Sequence, residues 1–121
     1  MSYDLYLCDP VSKDTIIVEE AHFMRGGTYE IGGTKELHLN ITFNYGRIYR
    51  RDDVLGEKGI KSLTGITGSQ SIPILQKAID VLKDDVNPDY WAATEGNAKR
   101  ALFQLLSMAY MRPDGVWEVD S

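Results

Sequence analysis

Glu36-Leu37-His38-Leu39-Asn40-Ile41-Thr42-Phe43-Asn44-Tyr45 alternates polar and apolar residues without a break. In an extended chain Leu37, Leu39, Ile41, Phe43 and Tyr45 share one face, and Glu36, His38, Asn40, Thr42 and Asn44 share the other. A period of two over this length predicts a strand buried on one side, ended by Gly46. Asn is depleted in strands, yet Asn40 and Asn44 flank Thr42 in line with His38. These uncharged donors and acceptors recur about every 7 Å. Amides donate and accept at once, which suits a nucleobase edge, a ribose or a peptide backbone. The competing reading is a solvated sheet face whose amides bond loop backbone.

Working outward, Tyr3 to Cys8 and the β-branched run Thr15 to Glu20 read as two strands. Turn chemistry from Asp9-Pro10 to Asp14 joins them as a hairpin. Gly26-Gly27-Thr28-Tyr29-Glu30-Ile31 is echoed by Gly32-Gly33-Thr34-Lys35-Glu36-Leu37, which predicts two glycine turns around a very short strand over 28–31. Residues 47–70 form a glycine-rich segment with basic residues Arg47, Arg50, Arg51, Lys58 and Lys61 and no clear periodicity. Ser71 is the expected cap of a first helix, with Pro73 in its first turn. Leu75, Ala78, Ile79 and Leu82 make its apolar face, and Asn87-Pro88 stops it. Thr94 caps a second helix from Glu95 to about Met111, and Val116 to Val119 adds a last strand. The expected architecture is a single α+β domain over 1–121. It has a β-rich part (1–46), a basic loop (47–70) and a helical part (71–121), and an N-terminal antiparallel sheet of about four strands is covered by two C-terminal helices.

A chain of 121 residues with 43% hydrophobic residues can bury a core without staples. Its net charge of −5 argues against broad nucleic-acid binding, which needs a positive field. The lone Cys8 excludes an internal disulfide and a cysteine zinc cluster. His22 and His38 are too few for a histidine metal site. No secretory leader and no bilayer-spanning apolar run is expected from the residues, so the expected location is the cytoplasm. No cofactor is expected.

Three further features could hold a ligand. Tyr90, Trp91, Thr94 and Asn97 surround a helix start, where free N–H groups and a partial positive charge attract anions and Gly96 allows close approach. Trp91 offers a stacking face there, or else plugs the core between the helices. Arg112 can fork onto a phosphate, or neutralise the carboxyl end of its own helix. The glycine-rich segments lack the Gly-Lys-Ser/Thr ending of a Walker loop. A Cys8–His38 catalytic pair requires their strands to be neighbours.

Leu39-Asn40-Ile41-Thr42-Phe43-Asn44-Tyr45, Ser71-Ile72-Pro73-Ile74-Leu75, Asp89-Tyr90-Trp91 and Glu95-Gly96-Asn97-Ala98 resemble a group of short phage and prophage proteins of unassigned function. In size and element order the chain is also similar to Thoeris-type anti-defence sponges, which sequester cyclic nucleotide signals. The resemblance implies a phage accessory protein and supplies no catalytic residues. The resulting expectation is a non-catalytic homodimer, or higher homo-oligomer, that binds a small nucleotide-like ligand through His38, Asn40, Thr42, Asn44, Tyr90, Trp91, Thr94, Asn97 and Arg112. The alternatives are an anti-CRISPR-like inhibitor that docks on a host protein through an acidic face of Asp52, Asp53, Asp80, Asp84, Asp85 and Asp89, and a structural phage component.

Overall fold

The computed structural model describes residues 1–22 and 34–121; the expected glycine turns and the short strand over 28–31 lie outside the described residues. The strands are β1 (Ser2–Cys8), β2 (Ile17–His22), β3 (Thr34–Glu36), β4 (His38–Thr42) and β5 (Val116–Asp120). A short α1 (Gly46–Tyr49) and two long helices, α2 (Gly68–Val81) and α3 (Glu95–Met111), complete the regular elements with two 3-10 turns, Phe43–Tyr45 and Gly59–Leu63. The class is therefore α+β, as the sequence predicts.

The strands are arranged differently from the expected single N-terminal sheet of about four strands. β1 is the centre of a three-stranded antiparallel sheet in the order β4-β1-β5, while β2 and β3 form a separate two-stranded ladder. The Asp9–Asp14 turn forms, with the Asp9 amide donating to the Asp14 carbonyl at 2.8 Å. The expected hairpin is then limited to one bridge, Cys8 to Thr15. Both edges of β1 are taken by more distant segments, so the second strand leaves to pair with β3.

The ten-residue strand is also divided. Leu37 breaks it by donating to the Ile16 carbonyl and accepting from the Leu7 amide, each at 2.9 Å. There the chain changes partner, from β2 before Leu37 to β1 after it. The strand ends at Thr42 rather than Gly46, because the Thr42 hydroxyl accepts the Asn44 amide and starts a 3-10 turn.

The apolar faces of the sheet and the long helices merge into one core. Leu5, Leu7, Leu39, Ile41, Leu75, Ala78, Ala98, Leu102 and Leu105 have no exposed surface. At about 1.5–3 kcal/mol for each large aliphatic side chain, this burial is the main gain on folding. The helix from Glu95 to Met111 lies where expected, capped by Thr94. The first long helix starts earlier than Ser71. Thr67 and Gln70 form a reciprocal capping box, and the Gly68 and Ser69 amides donate to the Gly115 and Pro113 carbonyls at 2.8 and 2.9 Å. A Cβ at Gly68 would stand 2.8 Å from the Arg112 carbonyl oxygen, so glycine lets the two helix ends meet. Pro73 consequently lies inside α2, removing the N–H that would reach the Ser69 carbonyl; Ser69 is exposed, so water can serve that group. No helix among the described residues is long and apolar enough to cross a membrane.

Two polar contacts inside the core generate predictions. The buried Trp117 indole donates to the Ser71 hydroxyl at 2.8 Å, and that hydroxyl donates to the Gly68 carbonyl at 2.7 Å. Ser71→Ala strands the indole N–H and is expected to cost about 1–3 kcal/mol, read as a lower denaturant midpoint at unchanged slope. Tyr49 is fully buried and donates to the Ala98 carbonyl at 2.9 Å. Burial, reinforced by Tyr45, Tyr90 and Tyr3, raises its phenol well above the ordinary value. The unfolded chain therefore releases this proton first as pH rises, so stability is lost above about pH 10. Tyr49→Phe is expected to flatten that alkaline limb in a pH series of denaturation curves.

Candidate functional site

The polar row of β4 is real but occupied. Ladder pairing sets Tyr6 opposite His38, Asp4 opposite Asn40 and Ser2 opposite Thr42. His38 Nε2 lies 2.9 Å from Asp4 Oδ1, and its ring stacks on Tyr6 with centroids 4.5 Å apart. Asn40 Nδ2 donates to Ser2 Oγ at 2.7 Å and to Asp4 Oδ1 at 3.0 Å. Asn40 and Thr42 are buried, so the second half of the row is no open pocket wall. Thr42 spends its hydroxyl on the Asn44 amide, and its own amide donates to the Tyr90 hydroxyl at 2.8 Å. Asn44 Nδ2 donates to the Trp91 carbonyl at 2.9 Å.

The helix start is likewise filled by the protein's own groups. The Gly96 amide donates to Asp85 Oδ1 at 3.1 Å, and the Asn97 amide donates to the Thr94 hydroxyl at 3.1 Å. A Cβ at Gly96 would lie 2.5 Å from both the Asp85 carbonyl carbon and the Val86 nitrogen. The missing side chain thus makes room for the preceding loop rather than for an anion. Asn97, also buried, accepts the Asn87 amide through Oδ1 at 3.0 Å and donates to the Asp89 and Ala92 carbonyls at 3.0 and 3.1 Å. It is the staple of the α2–α3 connection. Tyr90, Asn97 and Arg100 do line a crevice with Tyr45, but its volume is about 10 Å³, enough for a single water. Trp91 does not plug the core: it is 51% exposed, with its ring edge against Tyr90 at 5.1 Å.

Arg112 stands at the far end of α3, about 25 Å along the axis from Thr94 over 17 residues. The two cannot grip one phosphate. Arg112 instead forks onto Asp114 at 2.9 and 2.8 Å and holds that carboxyl below its usual range. Cys8 and His38 stand on paired strands, β1 and β4, but each side chain bonds elsewhere, His38 to Asp4. Cys8 Sγ donates to Glu118 Oε2 at 3.6 Å, and burial, then this hydrogen bond, pushes the thiol up.

A concavity of about 690 Å³ lies elsewhere. Tyr3 enters it from β1, Phe43 from the turn after β4, Arg50 from the end of α1, and Glu57, Lys58 and Lys61 from the following loop, with Ser121 also in the wall. Tyr3 and Phe43 meet edge to face with centroids 4.5 Å apart. Among the described residues Arg50, Lys58 and Lys61 have no ion pair, whereas Arg51, Lys99 and Arg112 are paired with carboxylates. Three cations therefore converge on one groove, with Glu57 the one acidic side chain among its described lining residues. The only sequence signal for it was the basic run from Arg47 to Lys61; nothing local linked that run to Tyr3, more than forty positions earlier. Among the described residues no cluster of His, Cys, Asp or Glu is arranged to hold a metal.

No family model, curated protein or solved structure matches this chain.

The two asparagines separate a structural role from a surface one. Asn97→Ala is expected to lower stability by about 1–3 kcal/mol, since it takes the acceptor from the Asn87 amide and one of two donors from each of the Asp89 and Ala92 carbonyls. Asn44→Ala, at an exposed site with one bond, is expected to cost less than about 1 kcal/mol. Paired urea titrations check both.

Proposed function

We propose that this chain is a non-catalytic binding protein that sequesters a small, negatively charged, nucleotide-like ligand in the groove between Tyr3, Phe43, Arg50, Lys58 and Lys61. The observation that carries the reading is the convergence of three cations, without an ion pair among the described residues, and two aromatic rings on one concavity of about 690 Å³. That volume suits a drug-sized ligand. Cations in a concave wall focus the field and attract anions despite the net charge of −5, and the aromatic pair offers an apolar surface to a base.

Sequestration needs affinity and no general acid or base. The reactive side chains fit that role: Cys8 carries a thiol whose ionisation burial opposes, and His38 is engaged by Asp4 and Tyr6. In the resemblance to phage proteins, such binding serves counter-defence, with a host immune signal as the captured molecule. A homo-oligomer belongs to the same proposal. Phe103 and Tyr110, seven residues apart on α3, are both exposed and offer an apolar strip for a second copy.

The rival reading, a protein-binding inhibitor with an acidic face, is less favoured. Of its carboxylates, Asp53 pairs with Arg51, Asp84 with Lys99, Asp85 caps α3 and Asp89 holds the Trp91 amide.

Native mass spectrometry of the protein recovered from bacteria with and without an active nucleotide-signalling defence tests the proposal. A stoichiometric small anion is expected in the first case, released on denaturation and absent from an Arg50→Ala/Lys61→Ala variant. Empty protein in both backgrounds would sink the reading.

A further inference from the structure

We propose that two copies of this chain meet on the outer face of α3, with their helices antiparallel about a two-fold axis at Ser107. This gives the homo-oligomer of the preceding reading its interface and rests on that oligomer, not on the identity of the ligand.

The outer face of α3 lacks charge. From Ala101 to Met111 no residue is charged, although 26% of the chain is. Ala101, Leu102, Leu105, Leu106, Met108 and Ala109 account for part of that run, because they are buried in the core. Phe103, Ser107, Tyr110 and Met111 are exposed. With 3.6 residues per turn these four fall within about a third of the helix circumference. The neighbouring helix shows the ordinary alternative: on α2 the exposed Ile74 and Val81 are interrupted by the exposed Lys77 and Asp80. An exposed strip of aromatic residues and Met without charge has the composition of an interface core, not of a solvated face.

The strip matches its own reverse, and this selects a second copy as the occupant. Phe103 lies four positions before Ser107 and Met111 four after; Arg100 lies seven before and Asp114 seven after. A two-fold axis at Ser107 sets this small side chain on Ser107 of the second copy, so the helices can approach closely. It seats Phe103 on Met111 of the second copy, a sulfur–aromatic contact. It also brings Arg100 to the carboxyl end of the opposite helix, where the helix dipole is negative and Asp114 is exposed. Arg100 has no ion pair among the described residues. Asp114 is forked by Arg112 of its own chain, but a carboxylate accepts about four hydrogen bonds, so a second donor fits. The charges at the two ends of the strip are therefore complementary only when the helices run antiparallel. One helix face is smaller than the roughly 800 Å² per partner of a standard interface, so the dimer is reversible and grows with concentration.

Sedimentation velocity of the full chain, in a series reaching about 1 mM, is combined with disulfide trapping. Cα atoms that face each other where two helices cross stand within about 7 Å, the reach of a disulfide. Ser107→Cys is expected to yield a covalent dimer on oxidation. Cys8 is buried and stays in place, and the parent chain is the blank. An equimolar mixture of Phe103→Cys and Met111→Cys chains is expected to give the mixed dimer in excess over either self-dimer. Ser107→Arg, which sets like charges on the axis from an exposed position, is expected to remove the dimer boundary while the denaturant midpoint stays unchanged. The trapping results stand whether or not that variant folds. Phe103→Cys trapped mainly with itself would mean parallel helices and overturn the proposal. A monomer at every concentration, or a dimer unaffected by Ser107→Arg, would overturn it too. The ligand is decided separately: a monomer carrying a stoichiometric anion would overturn the pairing alone, and a trapped dimer recovered empty from both bacterial backgrounds would overturn the ligand alone.

Discussion

β1 sits in the middle of its sheet, so the backbone N–H and C=O groups along both its edges must find partners inside the protein. A buried amide left unpaired costs as much as a lost hydrogen bond. The partners come from far along the chain: Asp4 pairs with Asn40 of β4, and Cys8 with Val116 of β5. Everything between must fold so that β4 and β5 arrive on opposite edges of the same strand. The two-stranded ladder of β2 and β3 is a consequence. With both edges of β1 filled, the segment after the Asp9–Asp14 turn keeps one bridge to Cys8 and pairs elsewhere.

β5 returns between β1 and the start of α2. The Trp117 amide donates to the Ile66 carbonyl and its carbonyl accepts the Gly65 amide, while its indole reaches Ser71. The outer edge of β5 is thereby covered over these residues rather than left as a template for another strand. On the opposite side, buried tyrosines tie β4 and α1 to the α2–α3 connection. The Tyr45 hydroxyl donates to the Tyr90 carbonyl, Tyr49 to the Ala98 carbonyl, and the Tyr90 hydroxyl accepts the Thr42 amide. A phenol brings a large apolar body and one directional bond, which suits a junction where helix, loop and strand edge meet. These links hold α1 at the end of the sheet and so bring Arg50 beside Tyr3. The groove is thus a product of how the sheet is closed, and its walls come from both ends of the chain.

The polar residues that drew attention on β4 and at the start of α3 illustrate a general ambiguity. An amide able to read a ligand is equally able to read a backbone, and sequence alone does not distinguish the two uses. Asn97 binds three backbone groups of a loop that lacks regular structure, accepting the Asn87 amide and adding a donor to the Asp89 and Ala92 carbonyls. Asn40 joins Asp4 and Ser2 across a ladder that period-two reasoning on one strand does not reveal. The cations of the groove had the opposite history: they looked like an ordinary solvated loop because their significance depends on the aromatic rings beside them.

By itself the sequence determined the α+β class, the extent of α3 and its Thr94 cap, the last strand, and the sorting of core from surface along β1. Each of these follows from periodicity and from side chains acting within a few residues of themselves. The tertiary structure alone decided which strands pair, where the ten-residue strand breaks, and where α2 begins. It also decided that Asn40 and Asn97 serve the fold, and that Arg50 meets Tyr3 and Phe43. Those outcomes rest on satisfying backbone groups and filling space between residues distant in sequence, and a local pattern carries no record of either.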